Sequence, residues 1–175
     1  MLPHTSTKVG SLSVHYSDPL CSRKIEQTIS ELAASLNPRN RDIVILCIGT
    51  DRSTGDSLGP LVGTRLAQLK NARFEVFGTL DEPVHAVNLV DVLENINTKH
   101  HDPFIIAVDA CLGKADRVGY INVKPGVLFP GTALQKSLPA VGDLHISGIV
   151  NVGGFLEHLV LQNTRLNLVF KMAEV

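Results

Sequence analysis

The sequence predicts an α/β fold, a three-layer sandwich in which a mostly parallel sheet is covered by helices on both faces. Three observations carry this prediction. The apolar runs at residues 43–48 and 104–108 are continuous rather than alternating, as strands buried on both faces must be. Each run leads into a turn of small residues that carries an aspartate, Asp56 after the first and Asp109 after the second. Segments of 3.6-residue periodicity alternate with the runs, the order that builds a parallel sheet.

The elements follow in chain order. Asp18-Pro19 reads as an N-cap followed by proline at the first helical position. Ile25, Ile29, Leu32, Ala33 and Leu36 then share one face of a helix that stops before Asn37-Pro38. Strand 43–48 comes next. Leu58, Leu61, Val62, Leu66 and Leu69 line a second helix, with Pro60 in its first turn. Residues 73–79 form a strand. After Asp81-Glu82-Pro83 a third helix carries Leu89, Val90, Leu93 and Ile96. Strand 104–109 is followed by a strand near 118–123 and a Pro/Gly-rich passage through Pro130-Gly131. The stretch from Ser147 to Gly154 reads as either strand or loop. Residues 155–161 look helical, and Leu166, Val169, Phe170 and Ala173 mark a last helix. With no linker, repeat or low-complexity tract, residues 1–175 read as one domain, of which 1–18 is a poorly ordered or edge segment.

Composition narrows the function classes. The formal net charge of −1 offers no footprint for nucleic acid or anionic lipid. Trp is absent and aromatics are few, which argues against a base-stacking platform. No apolar stretch approaches the ~18 residues that span a bilayer. The opening residues, Met1 to Lys8, lack an apolar core of signal-peptide length. Cys21, Cys47 and Cys111 have neither disulfide-framework nor zinc-knuckle spacing, so a reducing cytoplasm is the expected compartment.

Chemistry is expected at the carboxyl ends of the strands, where open α/β sheets bind ligands. Gly49 allows a sharp exit from the first strand, and Gly55 can take positive φ before Asp56. Asp56 and Ser57 then open the second helix, whose dipole favours an ionised carboxylate. Asp56 reads equally as a plain N-cap. Gly49 to Gly55 is one residue too long for a phosphate loop, and no lysine follows. Asp109 should face the same crevice, or serve as a turn aspartate bonded to nearby amides. Cys111 reads as packing or as a nucleophile. Asp143 and His145 are two apart and would point the same way on an extended segment, or lie in a polar surface loop. His85, after the turn at Asp81-Glu82-Pro83, is a candidate for the rim. Any metal site must be assembled from separate strand ends, since no HExxH or paired-cysteine spacing occurs.

Ile48-Gly49-Thr50-Asp51 with Gly55-Asp56-Ser57-Leu58-Gly59-Pro60, then Val108-Asp109-Ala110, then Gly142-Asp143-Leu144-His145-Ile146-Ser147-Gly148-Ile149-Val150-Asn151, resemble the YyaC family of sporulation proteins. The similarity runs from about residue 20 to the end. That family resembles a short form of the spore germination protease, and both are similar in fold to the hydrogenase maturation peptidases. The resemblance implies a phosphorylase/hydrolase-like (HybD-like) sandwich and a cytoplasmic role in a sporulating cell or forespore. It maps the catalytic aspartates of the germination protease onto Asp56 and Asp109. It maps the metal ligands of the maturation peptidases onto Asp56, Asp109 and His145. The chain departs from the latter in carrying Thr50-Asp51 where an Asn usually follows the glycine.

The expected function is therefore sporulation-associated hydrolysis of a peptide or amide by Asp56 and Asp109. Either the two carboxylates share a proton, or they hold a divalent metal ion together with His145. The alternative is a non-catalytic module that keeps the peptidase fold and binds a spore protein. A protein or peptide is the expected partner, without nucleic acid or membrane.

Overall fold

The computed structural model describes residues 10–69, 73–130 and 138–175. Met1 to Lys8 and Gly131, which figure in the sequence reading, lie outside them. The chain runs through β1 (Leu12–His15), α1 (Cys21–Leu36), β2 (Ile43–Cys47), a single 3-10 turn (Gly55–Ser57), α2 (Leu58–Ala67) and β3 (Phe74–Phe77). It continues through α3 (Leu89–Lys99), β4 (Phe104–Gly113), a second 3-10 turn (Ala115–Arg117), β5 (Tyr120–Pro125), β6 (Leu144–Val152), α4 (Glu157–Gln162) and α5 (Leu166–Ala173).

The six strands form one sheet in the order β1-β5-β6-β4-β2-β3. β6, β4, β2 and β3 are mutually parallel, whereas β5 is antiparallel to β6 and to β1. Residues alternate between the two faces. Ile45, Cys47, Ile106 and Val108 point into a core closed by Ile25, Ile29 and Leu32 of α1 and by Val62 and Leu66 of α2. The same layer continues with Leu58, Val150, Val169 and Met172, which bring in α5. On the opposite face Val44, Leu46 and Ala107 pack under Leu89, Val92, Leu93 and Ile96 of α3. Leu89 and Ile96 are fully buried, and each anchors α3 with roughly 1.5–3 kcal/mol of apolar burial. β2 is thus covered on both sides, which is why its sequence does not alternate.

Several expected boundaries shift. Asp18 does set up the first helix, accepting the Leu20 N–H at 2.8 Å, yet the helix begins only at Cys21. Leu69 falls beyond the end of α2 and is 56% exposed, while Val90 points outward from α3 at 50% exposure. Residues 147–152 are strand, because β4 pairs along them as far as Val152 while β5 pairs with Ser147 and Gly148 on the other side. β4 extends to Gly113, so Asp109 lies inside the strand instead of at its end, and Cys111 lies within it instead of beyond it.

Candidate functional site

Asp109 reaches solvent chemistry from the middle of a strand because its neighbours differ in length. On one side β2 stops at Cys47, the partner of Val108, so the β2 flank of Asp109 is open. On the other side β6 continues, and Asp109 pairs in register with Ser147. The break between β2 and β4 is the mouth of a cleft of about 350 Å³, lined among others by Gly49, Thr50, Arg52, Asp56, His85 and Asp109. The two aspartates therefore share one crevice at the carboxyl edge of the β2 and β4 half of the sheet.

The turn that delivers Asp56 is locked by its backbone. Thr50 N–H donates to the Asp56 carbonyl at 3.0 Å, and Asp56 N–H donates to Ser53 O at 3.0 Å. Gly49 adopts a φ of +145°, which only glycine holds without strain. Gly59, in the first turn of α2, lies so close to β2 that a Cβ there would stand 2.1 Å from the Ile48 carbonyl. Gly55 does not use positive φ. It is required because a Cβ would meet Leu161 and Thr164 at 2.9 Å. Neither Asp56 nor Ser57 caps α2: no side-chain capping bond is made there, and the Ser57 hydroxyl donates back to Thr54 O at 2.6 Å. The carboxylate of Asp56 is thus left to the cleft.

Electrostatics oppose the expectation of a fully ionised Asp56. Burial outweighs the helix end and raises its pKa from 3.8 to about 6. Asp109 is only 7% exposed. Burial raises its pKa well above the ordinary value, the nearby charge of Asp56 raises it further, and the Ala110 N–H that donates to Oδ1 at 2.8 Å offsets only part. Of the two carboxyl groups, Asp109 is thus the more disfavoured as an anion, by its depth and by the charge of Asp56.

The other candidates lie elsewhere. Asp143 is a structural residue at the amino edge of the sheet. Its Oδ1 accepts from Arg41 Nη2 at 2.8 Å and its Oδ2 accepts from the Ile105 N–H at 2.8 Å. His145 is in register with Ala107, one pleat repeat short of Asp109, and its Nδ1 meets Gly126 O at 2.9 Å. It is absent from the lining of the cleft. Among the described residues no three His, Cys, Asp or Glu side chains are grouped to hold a metal ion, so the set Asp56, Asp109 and His145 is not assembled. The reason is register: a histidine at the start of β6 cannot travel along a strand whose pairing with β4 is fixed by apolar neighbours. Cys111 is half-buried, and burial raises its thiol pKa while a hydrogen bond with Ser147 lowers it, the smaller of the two effects. Cys47 is buried deeper, its pKa pushed up to about 12.

His85, read from the sequence only as a rim candidate, is part of the wall. It sits in the turn between β3 and α3, which is tied to the end of β2 by Gly49 N–H donating to Val84 O at 2.8 Å. The rule that placed Asp56, a turn following a parallel strand, applies to this turn as well.

Fold and cleft together define an α/β protein with one mostly parallel sheet and two carboxyl groups on a cleft at its strand ends. The structure is similar to that of a NiFe hydrogenase maturation protease, HycI from Thermococcus kodakarensis KOD1, with a TM-score of 0.50 and 20% identity. The match covers 77% of this chain and 86% of that one. The chain belongs to the family described as "Protein of unknown function (DUF1256)", whose model matches residues 13–175. It is 56% identical over 163 residues to "Uncharacterized protein YyaC" of Bacillus subtilis (strain 168), covering 93% of this chain and 78% of that protein. No helix among the described residues is long and apolar enough to cross a membrane.

Proposed function

We propose that the protein hydrolyses a peptide or amide bond with Asp56 and Asp109 acting as a proton-sharing pair. The observation that supports this most is the joint placement of a buried carboxyl, Asp109, and a half-buried one, Asp56, on one cleft, with the deeper of them disfavoured as an anion by burial and by its neighbour. Such a pair is divided into base and acid by its surroundings. Asp56, the less deeply buried, takes a proton from water as the water oxygen bonds to the carbonyl carbon. The carbonyl π pair moves onto oxygen. When that pair returns, the C–N bond breaks and the amine leaves with the proton from Asp109. Transfer of the proton from Asp56 to Asp109 restores the starting state, and the net change is addition of one water across the amide.

A divalent metal ion is not required by this scheme. Among the described residues Asp56, Asp109 and His145 do not form the three-ligand set mapped from the maturation peptidases. The likeness in fold to a maturation protease supports a peptide or protein substrate. The resemblance to sporulation proteins supports action in the cytoplasm of a sporulating cell or forespore.

The test is to incubate the protein with quenched-fluorescence peptides and with extract of sporulating cells. The wild type should cleave, and Asp56→Asn and Asp109→Asn should not. Undiminished cleavage by both variants would eliminate the aspartate mechanism. Absence of turnover in the wild type under every condition, with or without added divalent metal, would favour a binding module on the same fold.

A further inference from the structure

One histidine in the lining of the cleft, His85, has its ring held by its own turn. His85 N–H donates to Asn88 Oδ1 at 2.8 Å, and Asn88 Nδ2 donates to Pro83 O at 3.0 Å. The His85 carbonyl accepts the N–H groups of Asn88 and Leu89 at 3.1 and 3.0 Å, so the backbone is fixed at the entrance to α3. The ring is oriented as well. Val87 N–H donates to His85 Nδ1 at 3.3 Å. A nitrogen that accepts an N–H cannot carry a proton of its own, so the neutral ring must be protonated at Nε2. Nδ1 is thereby consumed by the turn, and the remaining ring donor belongs to a residue that lines the cleft with Asp56 and Asp109.

On the hydrolase reading above, we propose that His85 is a third catalytic residue, whose Nε2–H donates to the carbonyl oxygen of the bound amide. The pair alone leaves that oxygen without a dedicated partner. Asp56 is occupied with the water, and the Asp109 proton is needed by the leaving nitrogen. A donor fixed in advance, aimed where negative charge develops, is the most effective aid a site can give to such a step. His85 keeps its proton throughout: it receives a hydrogen bond from no reacting atom and gives one to the oxygen, so the proton balance of the reaction is unchanged.

A structural role for His85 makes the opposite demand on its two nitrogens, and two amide substitutions separate the roles. Asn places an oxygen near Nδ1 and can keep the Val87 contact while losing the distal donor. Gln places an amide near Nε2 and can keep the donor while losing the Val87 contact. The expected result is that H85N lowers kcat by about 10²–10³-fold with little change in KM, while H85Q retains a substantial part of kcat. Activity in H85N equal to wild type, with H85Q impaired, would overturn the role of His85 and leave the aspartate pair standing. A long-range 1H–15N spectrum of the wild type, which needs no turnover, should show His85 protonated at Nε2 and bare at Nδ1. A ring protonated at Nδ1 alone would overturn the inference even in an active enzyme. A wild type with the expected ring but no turnover on any peptide would remove the hydrolase reading and the role of His85 together.

Discussion

A β-carbon on Gly49 would stand 2.0 Å from the carbonyl oxygen of Asp56, which is the oxygen that closes the turn by accepting the Thr50 N–H. The end of β2 and the first catalytic candidate are therefore set by one backbone contact. Gly49→Ala must move the Asp56 carbonyl and also hold alanine at a φ of +145°. The expected cost is about 2–4 kcal/mol of unfolding free energy, measured by denaturant titration, with loss of any turnover. Gly126→Ala is the comparison: its φ is also positive, but no atom lies within 4 Å of the added carbon, so it should cost about 1 kcal/mol and spare the cleft.

Asp56 and Asp109 should behave as one unit in kinetics. Each Asn variant is expected to lower kcat/KM by about 10²–10⁴-fold, and the double variant by little more than either. The rate of the wild type should rise with pH through about 6, as Asp56 becomes the ionised base. An unchanged acid limb in Asp56→Asn would refute its assignment as base.

The same burial makes the cleft a stability burden. A carboxyl whose folded pKa is raised binds its proton more tightly in the native state. Its stabilisation is complete below the ordinary value of 3.8 and is lost as pH rises towards the folded value, here about 6 for Asp56. Wild-type stability should fall across that window, on the order of 1–2 kcal/mol for this half-buried group. Asp56→Asn should flatten the fall and leave the variant more stable than wild type at neutral pH. Urea midpoints at pH 4, 5, 6 and 7 measure it.

His100 predicts a slope of the same direction with a different origin. Its Nδ1 meets Asp42 at 3.1 Å and its Nε2 meets Glu75 at 2.8 Å, and these two partners raise its pKa. Its contribution is present below about 6.5 and lost as pH rises through the folded value. Because Asp42 is well exposed, His100→Gln should cost about 1 kcal/mol or less at pH 5.5 and nothing measurable at pH 8.5. Thermal midpoints of the two proteins at both pH values decide the matter.

Asp143, read from the sequence as a site candidate, should prove to be a stability residue. It joins Arg41, whose guanidinium also lies over the Phe104 ring at 5.2 Å, to the Ile105 amide at the start of β4. Asp143→Ala leaves a partly buried cation and an amide without their acceptor, so about 2–4 kcal/mol of stability should be lost. Peptide turnover per folded molecule should be unaffected.

These contrasts show what the sequence could and could not reveal. The apolar runs disclosed β2 and β4 because burial on both faces leaves a continuous signature. β6 was obscured because Ser147, Gly148 and Asn151 interrupt its apolar residues. Gly148 is there for packing: a Cβ would meet Leu58 Cδ2 at 2.3 Å. The pairing of Asp56 with Asp109 followed from the general rule for strand ends. The exclusion of His145 depended on strand register, which no local pattern encodes. His85 had only a short polar turn before it, and its place in the wall comes from the bridge of Ile48 to Val84.

The position of β1 beside β5 has a consequence for how the molecule is made. Ser13 donates to Asn122 across a separation of 109 residues, the far edge of the sheet being closed by the earliest strand. During synthesis β1 leaves the ribosome long before β5 exists, and β5 in turn needs β6 beside it. Closing so large a loop is slow and entropically costly, so sheet completion must wait until β5 and β6 have both been made. Until then Val14 lacks Ile121 and Val150, the residues it packs with, and α1 can cover only β2 and β4, so apolar surface stays open to aggregation until β5 and β6 emerge.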